Sequence, residues 1–233
     1  MLDLTSMQEM IYGWSYRSIR FILKWVTFFV QACLGRPRDL EAVVKLGHGL
    51  VSSFQRLHIP LYIGKTIRLS QSVNVHDLTF ANPLTFAAYE SHIPLLTFFM
   101  QLGMGGGCYK TMMVSARSGN IRPRLQEVFV NGKCSLINAM GLPGKGAQAS
   151  IEAILASQLL SFQRPLGLSL GGESVSEYVD TFQVYQQAIA QHTFPFYYEI
   201  NMSCPNTDKG KQLAEDMSAL ASLITAIRKE TSR

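Results

Sequence analysis

Residues 201–206 read Asn-Met-Ser-Cys-Pro-Asn and follow an aromatic run, residues 194–198, patterned as a buried strand. Two readings fit a strand that leaves through asparagines flanking a Cys-Pro. One is a tight turn around an inert thiol, since cysteine is among the most buried residue types. The other is a catalytic loop in which Cys204 handles a proton and Asn201 and Asn206 offer amide donors and acceptors to a planar polar ligand. Lys110 and Thr111 close another apolar stretch, residues 105–111, and Asn138 opens a turn-rich run through Leu142 ahead of a helix. Each asparagine alone reads as a turn former. At the ends of strands they read together as a cage for a ligand.

The elements that must position these groups alternate. From residue 78 onward, short apolar strands (residues 82–88, 105–111, 165–171 and 194–200) are separated by helical stretches (93–102, 147–160, 174–191 and 213–229). After residue 111 comes a polar loop that carries "SGNIRPR", then the run 134–146 ahead of the next helix. Alternation of this kind implies parallel strands with helical crossovers. Four units make half of a (β/α)8 barrel, a TIM-type architecture whose active sites lie at the strand C-terminal ends. A complete barrel takes about 250 residues, and no internal repeat supplies the rest. Half a barrel leaves two strand edges, near Leu84 and Tyr198, and exposed edges favour self-association. The glycines at 103–107 precede a strand instead of opening a helix, so they read as a helix stop and not as a phosphate loop.

Ahead of the barrel segment, residues 1–65 form a helical, membrane-associating extension. Ile19, Ile22, Leu23, Val26, Phe29, Val30 and Cys33 recur at helical spacing opposite Arg17, Arg20 and Lys24. Gly35–Asp39 breaks this helix, and Asp39 is placed to cap a second one beginning at Leu40. The alternative is a helical pair packed on its own domain. The net charge of +5 is concentrated here, with eight basic against four acidic residues in positions 1–65. That balance favours an anionic lipid surface; no aromatic-interleaved basic run points to nucleic acid. The apolar stretch at 21–34 falls short of the roughly 20 residues that cross a bilayer. Four scattered cysteines and five scattered histidines have no metal-ligand spacing and fit a reducing cytosol. The expected location is cytoplasmic, peripheral on the inner face of a membrane.

The ordered set "DLTFANPLTFAA", "YKT", "SGNIRPR", "INAMGLPGKG" and "NMSCPN" resembles the N-terminal half of the dihydroorotate dehydrogenase family, over roughly residues 74–230. The resemblance implies an FMN enzyme of pyrimidine biosynthesis that oxidises dihydroorotate to orotate. It implies that Cys204 is the general base, that Asn138, Asn201 and Asn206 grip the pyrimidine ring, and that backbone amides of Met140, Gly141 and Leu142 hold the substrate carboxylate. Lys110 would stabilise charge on the reduced flavin, while Ala88, Thr111 and Asn201 would also touch FMN. A thiol with its ordinary pKa of about 8.5 is mostly protonated at neutral pH, so Cys204 needs a lowered pKa or mildly alkaline conditions.

Three departures from the family pattern stand out. Tyr89 replaces the usual glycine beside the flavin, and the "ESHI" that follows lacks the lysine of the membrane-bound branch. The family's later segments, with a second flavin lysine and the glycine-rich phosphate loops, do not follow the fourth helix. Residues 66–233 therefore read as the N-terminal half of the barrel, expected to hold FMN weakly by itself. The helical extension resembles the quinone-reducing branch, whereas the Cys204 loop resembles the soluble one. The electron acceptor is accordingly a quinone or a soluble species. Two alternatives stand beside this reading: a non-catalytic half-barrel acting only by association, and a related flavin-dependent dihydropyrimidine oxidoreductase.

Overall fold

A computed structural model of the chain describes residues 4–57, 59, 71–202 and 212–230. It divides into two units, residues 1–66 with 121–139 and residues 67–120 with 140–233.

In the first unit, helix α1 (Leu4–Cys33) and helix α2 (Leu40–Arg56) pack on each other. The turn between them is built as its sequence implies. Gly35 adopts φ +62°, a left-handed conformation that ends α1. Asp39 caps α2, its carboxylate accepting from the Glu41 amide at 2.9 Å. Gln31 locks the corner by accepting from Asp39 N and donating to Asp39 O. The unit is completed by an antiparallel hairpin of Leu125–Val130 and Lys133–Asn138, where the sequence reads as polar loop. Its turn is Asn131-Gly132, both with positive φ, the combination that a type I′ hairpin requires.

The "GNIRPR" segment is structural. Arg122 donates from Nε to Asp39 Oδ2 at 2.7 Å, and Arg124 donates from Nε to Glu41 Oε1 at 2.6 Å. The bond to Asp39 is the main cause holding the Arg122 pKa above its ordinary value. Lys24, expected on the lipid side of α1, instead forms an ion pair with Glu127 of the hairpin at 3.0 Å. The face that α1 turns inward carries Lys24, Thr27, Phe28 and Gln31, whereas Ile22, Val26, Phe29 and Val30 are exposed. No helix among the described residues is long and apolar enough to cross a membrane.

The second unit opens with a small antiparallel hairpin, β1 (Val73–Val75) and β2 (Leu78–Phe80). A four-stranded sheet follows, formed by β3 (Thr85–Phe86), β4 (Gly106–Met112), β7 (Leu166–Leu170) and β8 (Phe196–Ile200), β5 and β6 being the hairpin strands of the first unit. The order is β3-β4-β7-β8 and every pairing is parallel. The strand count matches expectation, and the sheet is open, with β3 and β8 at its edges. The connecting helices are α3 (Ile93–Gln101), α4 (Ala147–Leu155), α5 (Val175–Ile189), α6 (Gln212–Glu215) and α7 (Met217–Glu230).

The pleat of β7 sorts the two faces of the sheet. Leu166, Leu168 and Leu170 join a buried cluster with Leu96 and Met100 of α3, Ile151 and Ile154 of α4, Phe182 and Tyr185 of α5, and Leu223 of α7. Full burial of each leucine, isoleucine, methionine or phenylalanine among them is worth about 1.5–3 kcal/mol. Gly167 and Ser169 point to the opposite face. A Cβ on Gly167 would lie 2.6 Å from both Cys108 Sγ and the Tyr197 ring, so only glycine lets those side chains meet. The glycines at 105–107 serve close packing: a Cβ on Gly105 would collide with the Asn82 backbone, and one on Gly107 with the Phe86 ring. Arg164 terminates α3 by donating to the carbonyls of Met100 at 2.7 Å and Met104 at 2.6 Å.

Candidate active site at the strand ends

The central strand β4 carries the first site residues, and a register shift places them. Tyr109 lies opposite Leu168 and Met112 opposite Leu170, so three steps on β4 span two on β7. This is a β-bulge, a device common beside active sites because it re-aims side chains. Lys110 and Thr111 sit at the extra position. Lys110 Nζ donates to the Pro143 carbonyl at 3.0 Å, tying the strand end to the 140–143 loop. Thr111 Oγ1 lies 2.8 Å from Ser169 Oγ of β7 and accepts from Asn201 Nδ2 at 2.9 Å.

Asn201 leaves the C-terminal end of β8. Its amide N donates to Leu170 O at 3.0 Å, and its carbonyl accepts from the Tyr178 hydroxyl at 2.5 Å. One strand position earlier on the same face, Glu199 accepts from Ser169 Oγ at 3.0 Å. Cys108 lies two residues before Lys110 on this face, and its thiol pKa is pushed far up, first by burial and then by the Glu199 charge. Burial raises Tyr197 likewise. A charged carboxylate, a hydroxyl chain and an amide thus occupy the ends of three adjacent parallel strands.

The 140–142 loop has unusual backbone geometry. Gly141 and Leu142 both have positive φ, +69° and +49°. A Cβ on Gly141 would fall 2.6 Å from Asn120 Oδ1, and the Asn120 amide donates to Met140 O at 3.1 Å. Leu142 in this region carries a strain cost that glycine would not. Ala88 lies just beyond β3, in a turn closed by Tyr89 N donating to Ala87 O at 2.8 Å. Tyr89 itself is exposed.

Of the residues singled out in the sequence, Lys110, Thr111, Asn201 and the Met140–Leu142 loop belong to one unit and are linked by the bonds above. Asn138 ends β6 in the other unit, exposed and paired with Leu125. Cys204 and Asn206 lie outside the described residues. Ser169 and Glu199 went unnoticed in the sequence. Their signal was available, because each is a polar residue within an apolar strand at a position alternating away from the core.

An α/β protein with an open parallel sheet, helices on one face and polar groups at the strand C-terminal ends is the class that this geometry defines. The family model described as dihydroorotate dehydrogenase matches residues 70–233. The chain belongs to the dihydroorotate dehydrogenase family. It is 30% identical over 168 residues to "Dihydroorotate dehydrogenase B (NAD(+)), catalytic subunit" of Carboxydothermus hydrogenoformans, covering 71% of this chain and 52% of that protein. It is 29% identical over 214 residues to "Dihydroorotate dehydrogenase (quinone)" of Acaryochloris marina, covering 87% and 52%. Among solved structures, the Eimeria tenella dihydroorotate dehydrogenase in complex with ferulenol has the same fold, with a TM-score of 0.56 at 23% identity over 80% of this chain and 50% of that one. The chain spans about half the length of the curated relatives it matches.

Proposed function

We propose that the protein, in its complete form, is an FMN-dependent dihydroorotate dehydrogenase that oxidises dihydroorotate to orotate in pyrimidine biosynthesis. The observation that carries this reading is the junction of Lys110, Thr111, Asn201 and the 140–143 loop at the ends of adjacent parallel strands, within a chain of this family. The polar set suits a flavin: the Lys110 ammonium and the Asn201 amide can serve a ring whose carbonyl oxygens gain negative charge on reduction, and Thr111 anchors that amide by accepting from its amino group. FMN, when bound, supplies the hydride acceptor. The chain's own residues do the rest. Lys110 offsets the developing charge, and Asn201 with Thr111 orients the ring edge. Cys204 removes the substrate proton, while Asn206 and the amides of Met140, Gly141 and Leu142 hold the pyrimidine and its carboxylate. Ala88 lies against the flavin.

In this reading residues 66–233 are the first half of a TIM-type barrel, and residues 1–65 are an extension lying on the cytoplasmic face of a membrane. Trp14 and Phe29, exposed at 66% and 70%, lie on the α1 surface that would enter the lipid, with Arg17 and Arg20 at the headgroups. A quinone is favoured as acceptor by two observations. The similarity to the quinone-type relative runs over 214 residues, more than the segment 70–233 holds, and so reaches into the helices. Within the first unit, a cavity of about 710 Å³ is lined by Val26, Val30, Leu34 and Leu46, with Arg36, Lys45 and the Arg122–Asp39 ion pair also on its wall, a largely apolar slot with polar groups beside it.

The test is orotate formation by the complete protein from dihydroorotate, with a soluble quinone and with NAD as alternative acceptors. Orotate produced with quinone supports the whole reading. Orotate produced only with NAD removes the quinone, and a flavin-loaded protein that makes none removes the activity.

A further inference from the structure

The hydrogen bonds at the strand ends have a direction, and Glu199 sets it. A carboxylate only accepts, so Ser169 Oγ, 3.0 Å from Glu199 Oε1, donates its single hydroxyl hydrogen there. Across the 2.8 Å contact between Thr111 and Ser169, Thr111 must then be the donor. With its hydrogen committed, Thr111 can only accept from Asn201, and the group that meets it at 2.9 Å is the amino end of that amide. Ser169 is wholly buried and Thr111 nearly so, and neither hydroxyl can turn to bulk water instead.

We propose that Glu199 is a positioning residue: through Ser169 and Thr111, its accepting oxygen holds the Asn201 side chain with the amino group toward Thr111 and the carbonyl oxygen turned away. The bonds that link these four side chains run from Asn201 through Thr111 and Ser169 to the Glu199 carboxylate. The neighbours on the same face, Cys108 and Tyr197, are kept neutral by burial and bring no rival charge. Removing the carboxylate opens the reverse arrangement. Ser169 would donate to Thr111, Thr111 would donate to Asn201 Oδ1, and the amide would turn over.

The consequence for the ligand rests on the dehydrogenase reading. An amide oxygen has two lone pairs and can accept from a ring N–H beside any other bond it makes. The orientation set by Glu199 therefore favours a planar ligand that brings an N–H to Asn201, as a pyrimidine edge does, over one that brings only a carbonyl. The reversed amide would favour the opposite.

The experiment is nitrogen–proton correlation NMR of the side-chain amides of the 233-residue chain, with Asn201→Asp identifying the pair by its disappearance. One Asn201 amide proton is expected downfield, exchanging more slowly than those of the exposed Asn131. Glu199→Ala should shift that proton and raise its exchange to the Asn131 level. Glu199→Gln, whose amide oxygen still accepts from Ser169, should restore the native signal. Ser169→Ala breaks the chain at a second point and should act like Glu199→Ala. An Asn201 pair unchanged in both breaking variants would overturn the proposal. Orotate added to the flavin-loaded complete protein tests the other reading separately: an Asn201 pair that ignores orotate counts against the ligand, whatever Glu199 does.

Discussion

The Asp39 carboxylate ties the start of α2 to Arg122, and its replacement by alanine should loosen α2 by a calculable amount. The carboxylate does two things: it caps the helix through the Glu41 amide and accepts from Arg122 Nε. Loss of an aspartate cap costs about 1 kcal/mol. A hydrogen bond to a charged group is worth about 1.5–3 kcal/mol, but the Arg122 side chain is 42% exposed and already lies 3.7 Å from Glu41. It can therefore rehydrate or shift partner, which discounts its share to about 1 kcal/mol. The backbone bonds to Gln31 do not involve the carboxylate and should survive. The sum is about 2 kcal/mol, a factor of roughly 30 in a local opening equilibrium. Amide hydrogen exchange reads it directly, with the amides of α2 compared against those of α5 in the other unit as an internal reference. Asp39→Asn keeps a capping oxygen and loses only the ionic share, so it should show about half the effect. Equal protection in the native protein and Asp39→Ala would refute the reasoning, and so would equal losses in Asp39→Ala and Asp39→Asn.

The open sheet predicts that the polypeptide 1–233 associates with itself through the β3 and β8 edges and holds FMN weakly; light scattering and a visible spectrum after incubation with FMN check this, and a yellow, monodisperse monomer would contradict it. Cys108, Tyr185, Tyr197 and Tyr198 all have raised pKa values, chiefly through burial. Acids of this kind stabilise the fold fully below their unfolded values, about 8.5 for a thiol and 10 for tyrosine, and lose that contribution as the pH climbs above them. Urea midpoints should thus fall from about pH 8.5 upward, and a flat profile to pH 10.5 would argue against the buried cluster. Trp14 and Trp25 on α1 should shift to shorter emission wavelengths with anionic vesicles at low salt, and Phe29→Glu should weaken the response; each basic residue at such a surface adds about 1 kcal/mol, screened by salt. Emission indifferent to anionic lipid would remove the membrane contact.

Much of the sheet could be read from the sequence because its strands are short apolar runs between glycines and helices, as with Leu166–Leu170 and Phe196–Ile200. The strand expected over residues 82–88 contracts to Thr85–Phe86. Pro83 cannot join a ladder, and the Asn82 side chain turns the backbone by accepting from Leu84 N at 2.7 Å. The hairpin Leu125–Asn138 escaped although Asn131-Gly132 announces it. Its strands are amphipathic, the first half-buried and the second mostly exposed, and polarity spoke louder than alternation. The last helix breaks at Asp216, whose carboxylate accepts from the amides of Ser218 and Ala219 and starts α7 afresh; the Ala219 bond is the main cause of its lowered pKa. At the site, Lys110, Thr111 and Asn201 were legible from their place at strand ends. Ser169 and Glu199 are marked in the sequence only as polar residues within apolar strands; that they act together depends on pairing between β4, β7 and β8, which no single strand's sequence carries. The apolar stripe of α1 was legible too, but not that its polar neighbours, Lys24 and Gln31, would be the ones to pack inward.

The central claim is that this chain contributes the proton-abstracting loop and flavin cradle of a dihydroorotate dehydrogenase. It is tested most directly by mixing the complete, FMN-loaded protein with dihydroorotate without oxygen and following the flavin absorbance, for the native protein and for Cys204→Ala at equal flavin content. The native flavin should bleach in one fast phase with one orotate formed per flavin, and Cys204→Ala should keep its flavin yet bleach slower by about 100-fold or more, the scale of a lost general base. Equal bleaching rates in the two proteins would contradict the role of Cys204, and a native flavin that dihydroorotate leaves oxidised would contradict the claim itself.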